Sequence, residues 1–458
     1  MQQEELIPIG MCIDKHAKLF KYRNKIIRAI NPDYTQLFTE IIDNKVIQEL
    51  IASNLLILTE ISSTTVHGHA LVLEHPLLPF VSYPFEWTPS MFKDAALTIL
   101  KLNLILMKNG FCTQDAHPWN ILFDGTLPKF IDFTSIIRLP SHGCWIAIEE
   151  FKLYCLNSLL LMAKGYPTMV RSLTHEILCY PDAGLVRELY GSRERLYKRM
   201  RNITEKVKRK IRKLRKQESK YAGIMQVERL IKKVESLNVK PRASEWSDYY
   251  NGENKLPIYD GTIEVLTSIR HATVKHRLID NLLETLRPES VLDIGCNRGL
   301  YSQIAASWGA KVIGIDMDEQ ALDQMYCDSR VIGSSVLPLY VNAVAPAEAI
   351  GFKEIPFPSV TERLKSECVL CLALVHHLVF KRTHMDFQHI AKVLSSYTEK
   401  YLIVEFVPKE DEHVAKWYTN EYNWYCEDNF ISALSQYFKK VESYESFPLP
   451  RRLLFCEK

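Results

Sequence analysis

The amino-acid sequence predicts an α/β protein with two unlike halves joined by a helical connector. In the C-terminal half, short apolar runs rich in Val, Ile and Leu alternate with helical stretches, which is typical of buried parallel strands with crossover helices. In the N-terminal half, strands and helices are mixed without this alternation, which predicts an α+β domain. A basic stretch with helical periodicity separates the halves. We therefore expect domains at residues 1–190 and 246–458, with the connector at residues 191–245.

The composition is that of an ordinary globular protein, with 458 residues of which 47% are hydrophobic and 24% are charged. No apolar run reaches the roughly 18 to 20 residues that a membrane span requires. The eleven cysteines lack the spacing of a disulfide framework, and the N-terminal stretch has no signal-peptide pattern. These features predict a reduced, cytoplasmic protein without a transmembrane segment.

The first 110 residues contain four strongly patterned segments. KLFKYRN and KIIRAI predict a β-hairpin with an asparagine near its turn. DYTQLFTEIIDNKVIQELIAS predicts one helix, and HALVLEHPLLPF predicts a strand. SMFKDAALTILKLNLILMKNGF predicts a long helix that ends at Gly110.

A polar loop, TQDAHPWNILFDGTLPKFIDF at residues 113–133, follows that long helix. Asp115 and Asn120 stand five apart, and Asp132 follows a short turn. This spacing is typical of the catalytic base and metal ligands of a phosphotransferase. Turn chemistry also explains Asp115 and Asn120, since both residue types cap local backbone, but it leaves Asp132 unexplained.

The connector contains the most basic stretch of the chain. Residues 193–216 carry thirteen Lys and Arg against two Glu, a local charge of +11 in a chain whose net charge is +3. Apolar residues recur there every three or four positions, as on one face of a helix. Two interpretations follow: a connector that packs between the domains, or a surface for nucleic acid or an anionic membrane.

Five apolar runs and two further candidate strands predict a doubly wound, Rossmann-like sheet of seven strands in the C-terminal half. In chain order they are SVLDIG, KVIGID, LPLYVN, CVLCLAL, YLIVEFV, KKVESYES and RRLLFCEK. Cys368 and Cys371 lie three apart on one of these strands and therefore point to opposite faces, so they do not predict a metal site.

The clearest chemistry lies in VLDIGCNRGLYSQIAASWGAKVIGIDMDE. A strand ends at Asp293, a turn follows with Gly295 and Gly299, and the next strand ends in Asp316. Such glycines let the backbone approach a ligand, and an acid at the next strand end accepts from ribose hydroxyls. The turn lacks the pyrophosphate fingerprint, so the helix that follows can serve a carboxylate instead. A domain that binds another nucleotide, or none, is the alternative.

This stretch resembles the class I S-adenosylmethionine-dependent methyltransferases, and the resemblance covers roughly residues 270–458. It implies S-adenosyl-L-methionine as the cofactor. Asp293 would orient the methionine end, which the backbone of Gly295 and Gly299 would line. Asp316 would hold the ribose hydroxyls.

Three further residues receive implied roles from the same resemblance. Met317 would pack on the adenine, and Asn342 would bind its amino group, where the family often has Asp. Asn297 replaces the family's middle glycine, a change that left-handed backbone geometry tolerates in asparagine.

Two residues near the ends of the fourth and fifth strands are candidates for the methyl-transfer chemistry. The resemblance implies that His377, in LALVHHL, is a general base that deprotonates an acceptor hydroxyl, because imidazole titrates near neutral pH. A structural role for His377 stays open. Glu405 is a second candidate, for positioning the acceptor. The implied reaction is in-line displacement at the sulfonium methyl, without a metal.

The segments TQDAHPWNILFDGTLPKFIDFTSI, SEWSDYY, VLDIGCNRGLYS, LALVHHLVF and IVEFVPKED together resemble a bacterial family of methyltransferases related to the nodulation protein NoeA. That resemblance spans most of the chain. It implies methyl transfer to a small-molecule or glycan acceptor, including a glycolipid. A nucleic-acid-associated methyltransferase that uses the basic helix is an alternative.

The loop at residues 113–133 resembles the aminoglycoside phosphotransferase and kinase-like fold. The resemblance implies Asp115 as the base, Asn120 and Asp132 as Mg²⁺ ligands, and Mg-ATP as a cofactor if the domain is active. Thr113 and Thr134 depart from the family's His and Gly, and no glycine-rich loop precedes the region. We therefore expect a degenerate kinase-like domain, with a bifunctional kinase and methyltransferase as the alternative.

Overall fold

A computed structural model describes most of both halves of the chain. The described residues are 6–9, 14–175, 180–189, 221–242, 261–349, 358–381 and 383–458. The basic stretch at residues 193–216 lies outside them. The choice between a packed connector and an anion-binding surface therefore stays a prediction.

The N-terminal half opens with an antiparallel sheet whose strand order is β1-β2-β3-β5-β4. Its strands are β1 Ile7–Pro8, β2 Ala17–Tyr22, β3 Lys25–Ile30, β4 Glu60–Ile61 and β5 Val72–Pro76. Strands β2 and β3 form the predicted hairpin. The predicted strand in HALVLEHPLLPF is β5, which pairs with β3 in the centre of the sheet.

The segment predicted as one helix is two, α1 Thr35–Ile42 and α2 Lys45–Ala52, so that prediction was wrong. The side chain of Asn44 caps α2 by accepting from the backbone N–H of Val46 at 3.0 Å. Asparagine is a strong N-cap, and it starts a new helix here within an apolar pattern that looks continuous.

The rest of the N-terminal half is mainly helical, with short strands around the polar loop. Its helices are α3 Pro89–Lys108, α4 Ile148–Phe151, α5 Asn157–Ala163, α6 Pro167–His175 and α7 Ala183–Leu189, with a π-helical turn Lys152–Leu156 after α4. Its strands are β6 Phe111–Thr113, β7 Ile121–Asp124, β8 Leu127–Phe130 and β9 Ile136–Arg138. Helix α8, Tyr221–Glu235, buries Val227, Leu230 and Val234 and packs along α3.

All seven strands predicted in the C-terminal half are present. They are β10 Ser290–Ile294, β11 Lys311–Asp316, β12 Leu337–Tyr340, β13 Ser366–Cys371, β14 Thr398–Phe406, β15 Lys440–Glu445 and β16 Arg452–Glu457. Their order is β12-β11-β10-β13-β14-β16-β15, and β16 runs antiparallel to both of its neighbours. The order reverses between β10 and β13, and such a switch point opens a crevice at the carboxyl ends of the strands.

Helices cover both faces of this sheet. They are α9 Ile263–Ile269, α10 Val274–Leu286, α11 Leu300–Ser307, α12 Glu319–Ile332, α13 Val360–Arg363, α14 Val375–Phe380, α15 Phe387–Tyr397 and α16 Glu427–Leu434. Among the described helices, none combines the length and apolar character needed to cross a membrane.

One hydrophobic core runs continuously from the N-terminal half into one face of the C-terminal sheet. Helix α3 packs against α12, and the ring of Phe123 meets the ring of Tyr326 edge-on with 6.1 Å between centroids. A second apolar cluster covers the opposite face of the sheet. The two halves are therefore joined by packing as well as by the connector.

Candidate functional site

Asp293 lies on β10 at the switch point, where its side chain is almost fully buried. Its carboxylate accepts a hydrogen bond from the Ser302 hydroxyl at 2.6 Å. Burial, reinforced by the negative charge of Asp316, raises the pKa of Asp293 to about 7. Both the charged and the neutral form of the Asp293 carboxyl are therefore populated near pH 7.

The turn after β10 is left-handed at three positions. Gly295, Asn297 and Gly299 have φ values of 77°, 49° and 79°. The backbone N–H of Gly295 donates to the carbonyl of Ile315 at 2.8 Å, which ties the turn to β11. Asn297 therefore has the left-handed backbone in which asparagine is tolerated, and its backbone N–H donates to the carboxylate of Asp316.

Asp316, the last residue of β11, is held by three backbone amides. Its Oδ2 accepts from the N–H of Asn297 at 2.8 Å, and its Oδ1 accepts from Met317 at 2.7 Å and Asp318 at 2.9 Å. Burial nevertheless raises the pKa of Asp316, because the three amides offset only part of the desolvation. A carboxylate has about four acceptor positions, so one position is left for a ligand hydroxyl.

Met317 and Asn342 lie beside Asp316 on neighbouring strand ends. Met317 is 42% exposed, which leaves its thioether side chain available to a flat apolar ligand. Asn342 follows β12, and its side-chain oxygen accepts from the N–H of Val344 at 3.2 Å. The structure therefore gathers the predicted cofactor-binding residues at one edge of the sheet.

His377 lies on α14 and not at the end of β13, which stops at Cys371. Its ring packs against His376 and Trp417, with centroids 4.2 Å and 5.4 Å away. Burial, followed by the positive charge of Lys381, lowers the pKa of His377 to about 4. The imidazole is therefore neutral at pH 7. Sequence analysis missed Trp417, which comes forty residues later.

Glu405 on β14 is fully buried in an ion pair. Its Oε2 accepts from the ammonium of Lys275 at 2.6 Å, and its Oε1 accepts from the Ser446 hydroxyl at 2.9 Å. Lys275 lies in the first turn of α10 and is 8% exposed. Sequence analysis missed Lys275, because nothing in its local pattern separates it from a surface lysine.

In the N-terminal half, the structure brings Asp115 and Asn120 into contact. Oδ1 of Asp115 accepts from the Asn120 amide at 2.6 Å and from the Ser135 hydroxyl at 2.8 Å. Burial, reinforced by the charge of Asp132, raises the pKa of Asp115 to about 7. The three residues predicted for this loop thus form one polar cluster.

Asp132 in that cluster is bound by Arg28 of β3. Oδ1 of Asp132 accepts from the Arg28 guanidinium at 3.0 Å and from the Thr134 hydroxyl at 3.0 Å. The Arg28 side chain is 6% exposed, and its guanidinium also lies 3.6 Å from the carboxylate of Asp14.

The Mg²⁺ ion that the kinase-like resemblance implies would take oxygens from Asn120 and Asp132, and Asp132 is already paired with Arg28. Mg²⁺ demands near-ideal octahedral oxygen geometry. Oδ1 of Asp132 is engaged by the Arg28 guanidinium, which Asp132 shares with Asp14. Within the described ranges, no three His, Cys, Asp or Glu side chains group so that they could hold a metal ion.

The doubly wound sheet, its switch point and the acids at its carboxyl edge define the class: an α/β domain with a ligand site at that edge. Nodulation protein NoeA of Rhizobium meliloti (strain 1021) is 28% identical to this chain over 463 residues, which cover 97% of this chain and 94% of NoeA. No protein-family model matches the chain.

Two solved structures are similar to parts of the chain. Magnesium protoporphyrin IX methyltransferase ChlM of Synechocystis PCC 6803 is 17% identical, with 40% of this chain and 82% of ChlM covered and a TM-score of 0.28. The bifunctional kinase-methyltransferase WbdD is 18% identical, with 45% of this chain and 43% of WbdD covered and a TM-score of 0.30.

Proposed function

We propose that this chain is an S-adenosyl-L-methionine-dependent methyltransferase whose cofactor site lies in the domain at residues 246–458. The observation that carries the proposal is the Asp316 carboxylate, which binds both the left-handed turn after β10 and the loop after β11. This single group fixes the backbone segments that follow two adjacent strands, β10 and β11, next to the switch point.

The residues at this edge fit the cofactor from end to end. Gly295 and Gly299 leave the turn without side chains beside the methionine end, where Asp293 offers a negative charge to the ammonium. Asp316 has an acceptor position for a ribose hydroxyl, and the exposed side chain of Met317 suits the flat adenine. Bound there, the cofactor supplies a methyl group on a sulfonium.

His377 is the proposed base for the acceptor hydroxyl. Its ring can accept a proton because it is neutral at pH 7. A base whose pKa is about 4 does not deprotonate a free alcohol to a useful extent. It takes the proton only as the new bond to the acceptor oxygen forms, when that oxygen becomes strongly acidic. The proposed acceptor is a small-molecule or glycan hydroxyl, including that of a glycolipid. Trp417 packs on the histidine pair, with His376 stacked on its ring and the Lys381 ammonium 4.5 Å from its ring centre.

The test is transfer of labelled methyl from S-adenosyl-L-methionine into fractionated host extract, with Asp316→Ala as the blank. We expect label in one fraction, and that fraction names the acceptor class among glycan, lipid, nucleic acid, protein and small molecules. The absence of label, together with failure of the wild type to bind S-adenosylhomocysteine, would reject the proposal.

We also propose that residues 1–190 form a kinase-like domain without phosphotransfer activity, joined by the connector at residues 191–245. The support is the contact between Asp115 and Asn120 together with the guanidinium of Arg28 on Asp132. Such a domain serves as a scaffold or contributes to acceptor binding.

ATP hydrolysis tests this second proposal, with Asp132→Asn as the matched control. We expect no Mg²⁺-dependent hydrolysis by the wild type above the level of the variant. Hydrolysis that Asp132→Asn abolishes would instead support a bifunctional kinase and methyltransferase.

A further inference from the structure

Arg171, a residue of α6 in the N-terminal half, contacts the C-terminal half close to Asp316 at the end of β11. We propose that Arg171 is a positioning residue for the cofactor site, so that the N-terminal half helps to set the affinity for S-adenosyl-L-methionine. This inference rests on the methyltransferase function proposed above. It gives the first 190 residues a role that does not depend on phosphate chemistry.

Arg171 makes two contacts in the C-terminal domain, one on each side of Asp316. Its Nη2 donates to Oε1 of Glu319 at 2.6 Å, and Glu319 is the first residue of α12, three positions after Asp316. Its guanidinium carbon lies 3.8 Å from the ring centre of Tyr340. Tyr340 is paired with Asp316 in the register of β11 and β12.

Arg171 is itself held in a fixed position. Its Nε donates to the carbonyl of Phe85 at 3.0 Å, and its Nη2 also donates to the carbonyl of Trp87 at 3.3 Å. These carbonyls belong to the segment that leads into α3. These hydrogen bonds fix the guanidinium relative to the N-terminal half. The guanidinium in turn holds Glu319 and Tyr340 through its contacts with them.

Glu319 also binds a third segment of the chain, the one that contains Arg242. Its Oε2 accepts from the backbone N–H of Arg242, at the end of the described connector, at 2.6 Å. Glu319 is 3% exposed, so its carboxylate has lost most of its hydration. Removing a buried charge's partner leaves that charge uncompensated, and the group then moves toward water if it can.

Movement of Glu319 would shift the start of α12. The residues immediately before it are Asp318, whose side chain caps this helix, and Met317. Both donate backbone N–H groups to Asp316. Loss of Arg171 should therefore disturb the adenosine side of the site while leaving His377, across the sheet's switch point, in place.

The other end of α12 provides a matched control. Arg330 lies eleven residues beyond Glu319, roughly 16 Å further along the helix. Arg330 forms an ion pair with Asp94 of α3, so it also crosses between the halves, but its side chain is 44% exposed. Arg330→Ala loosens the same interface without touching the residues around Asp316.

The experiment measures S-adenosylhomocysteine binding by calorimetry for the wild type, Arg171→Ala, Arg171→Lys and Arg330→Ala, with melting temperatures alongside. We expect Arg171→Ala to weaken binding about tenfold and Arg330→Ala to change it less than about twofold. Arg171→Lys should recover part of the affinity, because it restores the charge on Glu319. In methyl transfer, KM for the cofactor should rise while turnover at saturation stays unchanged.

Equal effects of Arg171→Ala and Arg330→Ala would overturn the inference, since they would reflect general loosening of the interface. An unchanged affinity in Arg171→Ala would overturn it as well. If Arg171→Ala does not fold, Arg171→Lys and Glu319→Gln replace it in the binding measurement. Wild-type affinity for S-adenosylhomocysteine in both variants would reject the positioning role of Arg171. Failure of the wild type to bind S-adenosylhomocysteine would reject the proposed function itself, which distinguishes the two failures.

Discussion

Asp132 and Asp316 are two aspartates at similar places in two different halves of the chain. Asp132 follows the short strand β8 and Asp316 is the last residue of β11, and each has a carboxylate that receives more than one hydrogen bond. Asp132 faces the guanidinium of Arg28, whereas Asp316 faces three backbone amides. The amides position Asp316 without bringing an opposite charge, whereas Asp132 shares one guanidinium with the carboxylate of Asp14. The same residue type is therefore held by backbone dipoles in one loop and by an ion-pair network in the other.

The largest expected difference between the halves is in the rate of methyl transfer. His377→Ala should lower turnover by about 100-fold or more, because it removes the proposed base. The matched variant is His117→Ala in the N-terminal loop, another histidine whose pKa is lowered by burial. It should leave turnover within about twofold. Initial rates at saturating cofactor measure both, and equal rates for the two variants would leave His377 with a structural role only.

Cofactor affinity should separate the two aspartates themselves. Asp316→Ala removes the acceptor of three amides and should weaken S-adenosylhomocysteine binding by about 100-fold, or about 2.7 kcal/mol. Asp132→Ala should leave the affinity unchanged, since its carboxylate is engaged by Arg28. Calorimetric titration of both variants tests the contrast. A similar loss in Asp132→Ala would show that the two loops act as one site.

The smallest expected effect is a dependence of cofactor affinity on pH. Asp293 has a pKa of about 7, so raising the pH ionises it and adds a negative charge beside the cofactor's ammonium. Affinity for S-adenosyl-L-methionine should rise about fivefold between about pH 6 and about pH 7.5, while the amine stays largely protonated.

Asp293→Asn should abolish this pH dependence. Asp115→Asn removes a carboxyl whose pKa is also about 7, but in the N-terminal loop, so the dependence should persist. If the affinity of the wild type for S-adenosyl-L-methionine did not change with pH, Asp293 would not face the ammonium.

Local sequence patterns predicted the parts of the molecule that depend on local geometry. Apolar runs that alternate with helical stretches predicted strands of the C-terminal sheet, and the spacing of Asp293, Gly299 and Asp316 predicted a ligand site at its carboxyl edge. Asn44 was visible in the sequence, but its helix-starting role was hidden because the apolar periodicity continues across it.

Pairs of residues that are distant in the chain could not be predicted in this way. Arg28 and Asp132 are 104 positions apart, and Lys275 and Glu405 are 130 apart. Nothing in the spacing of either partner specifies the other, since their contact is set by how whole elements pack. The ion pair between Arg28 and Asp132 in the N-terminal loop therefore became visible only in the structure.

The shared hydrophobic core also determines how the chain unfolds. Contacts between domains are usually modest and polar, and such domains melt separately. Here Tyr326 of α12 is buried beside Phe123, and its hydroxyl donates to Asp94 at 2.8 Å. Either half made alone would expose this surface to water. Heat should melt both halves in one cooperative transition, and a truncated chain is a poor substitute for the whole protein in any assay of its activity.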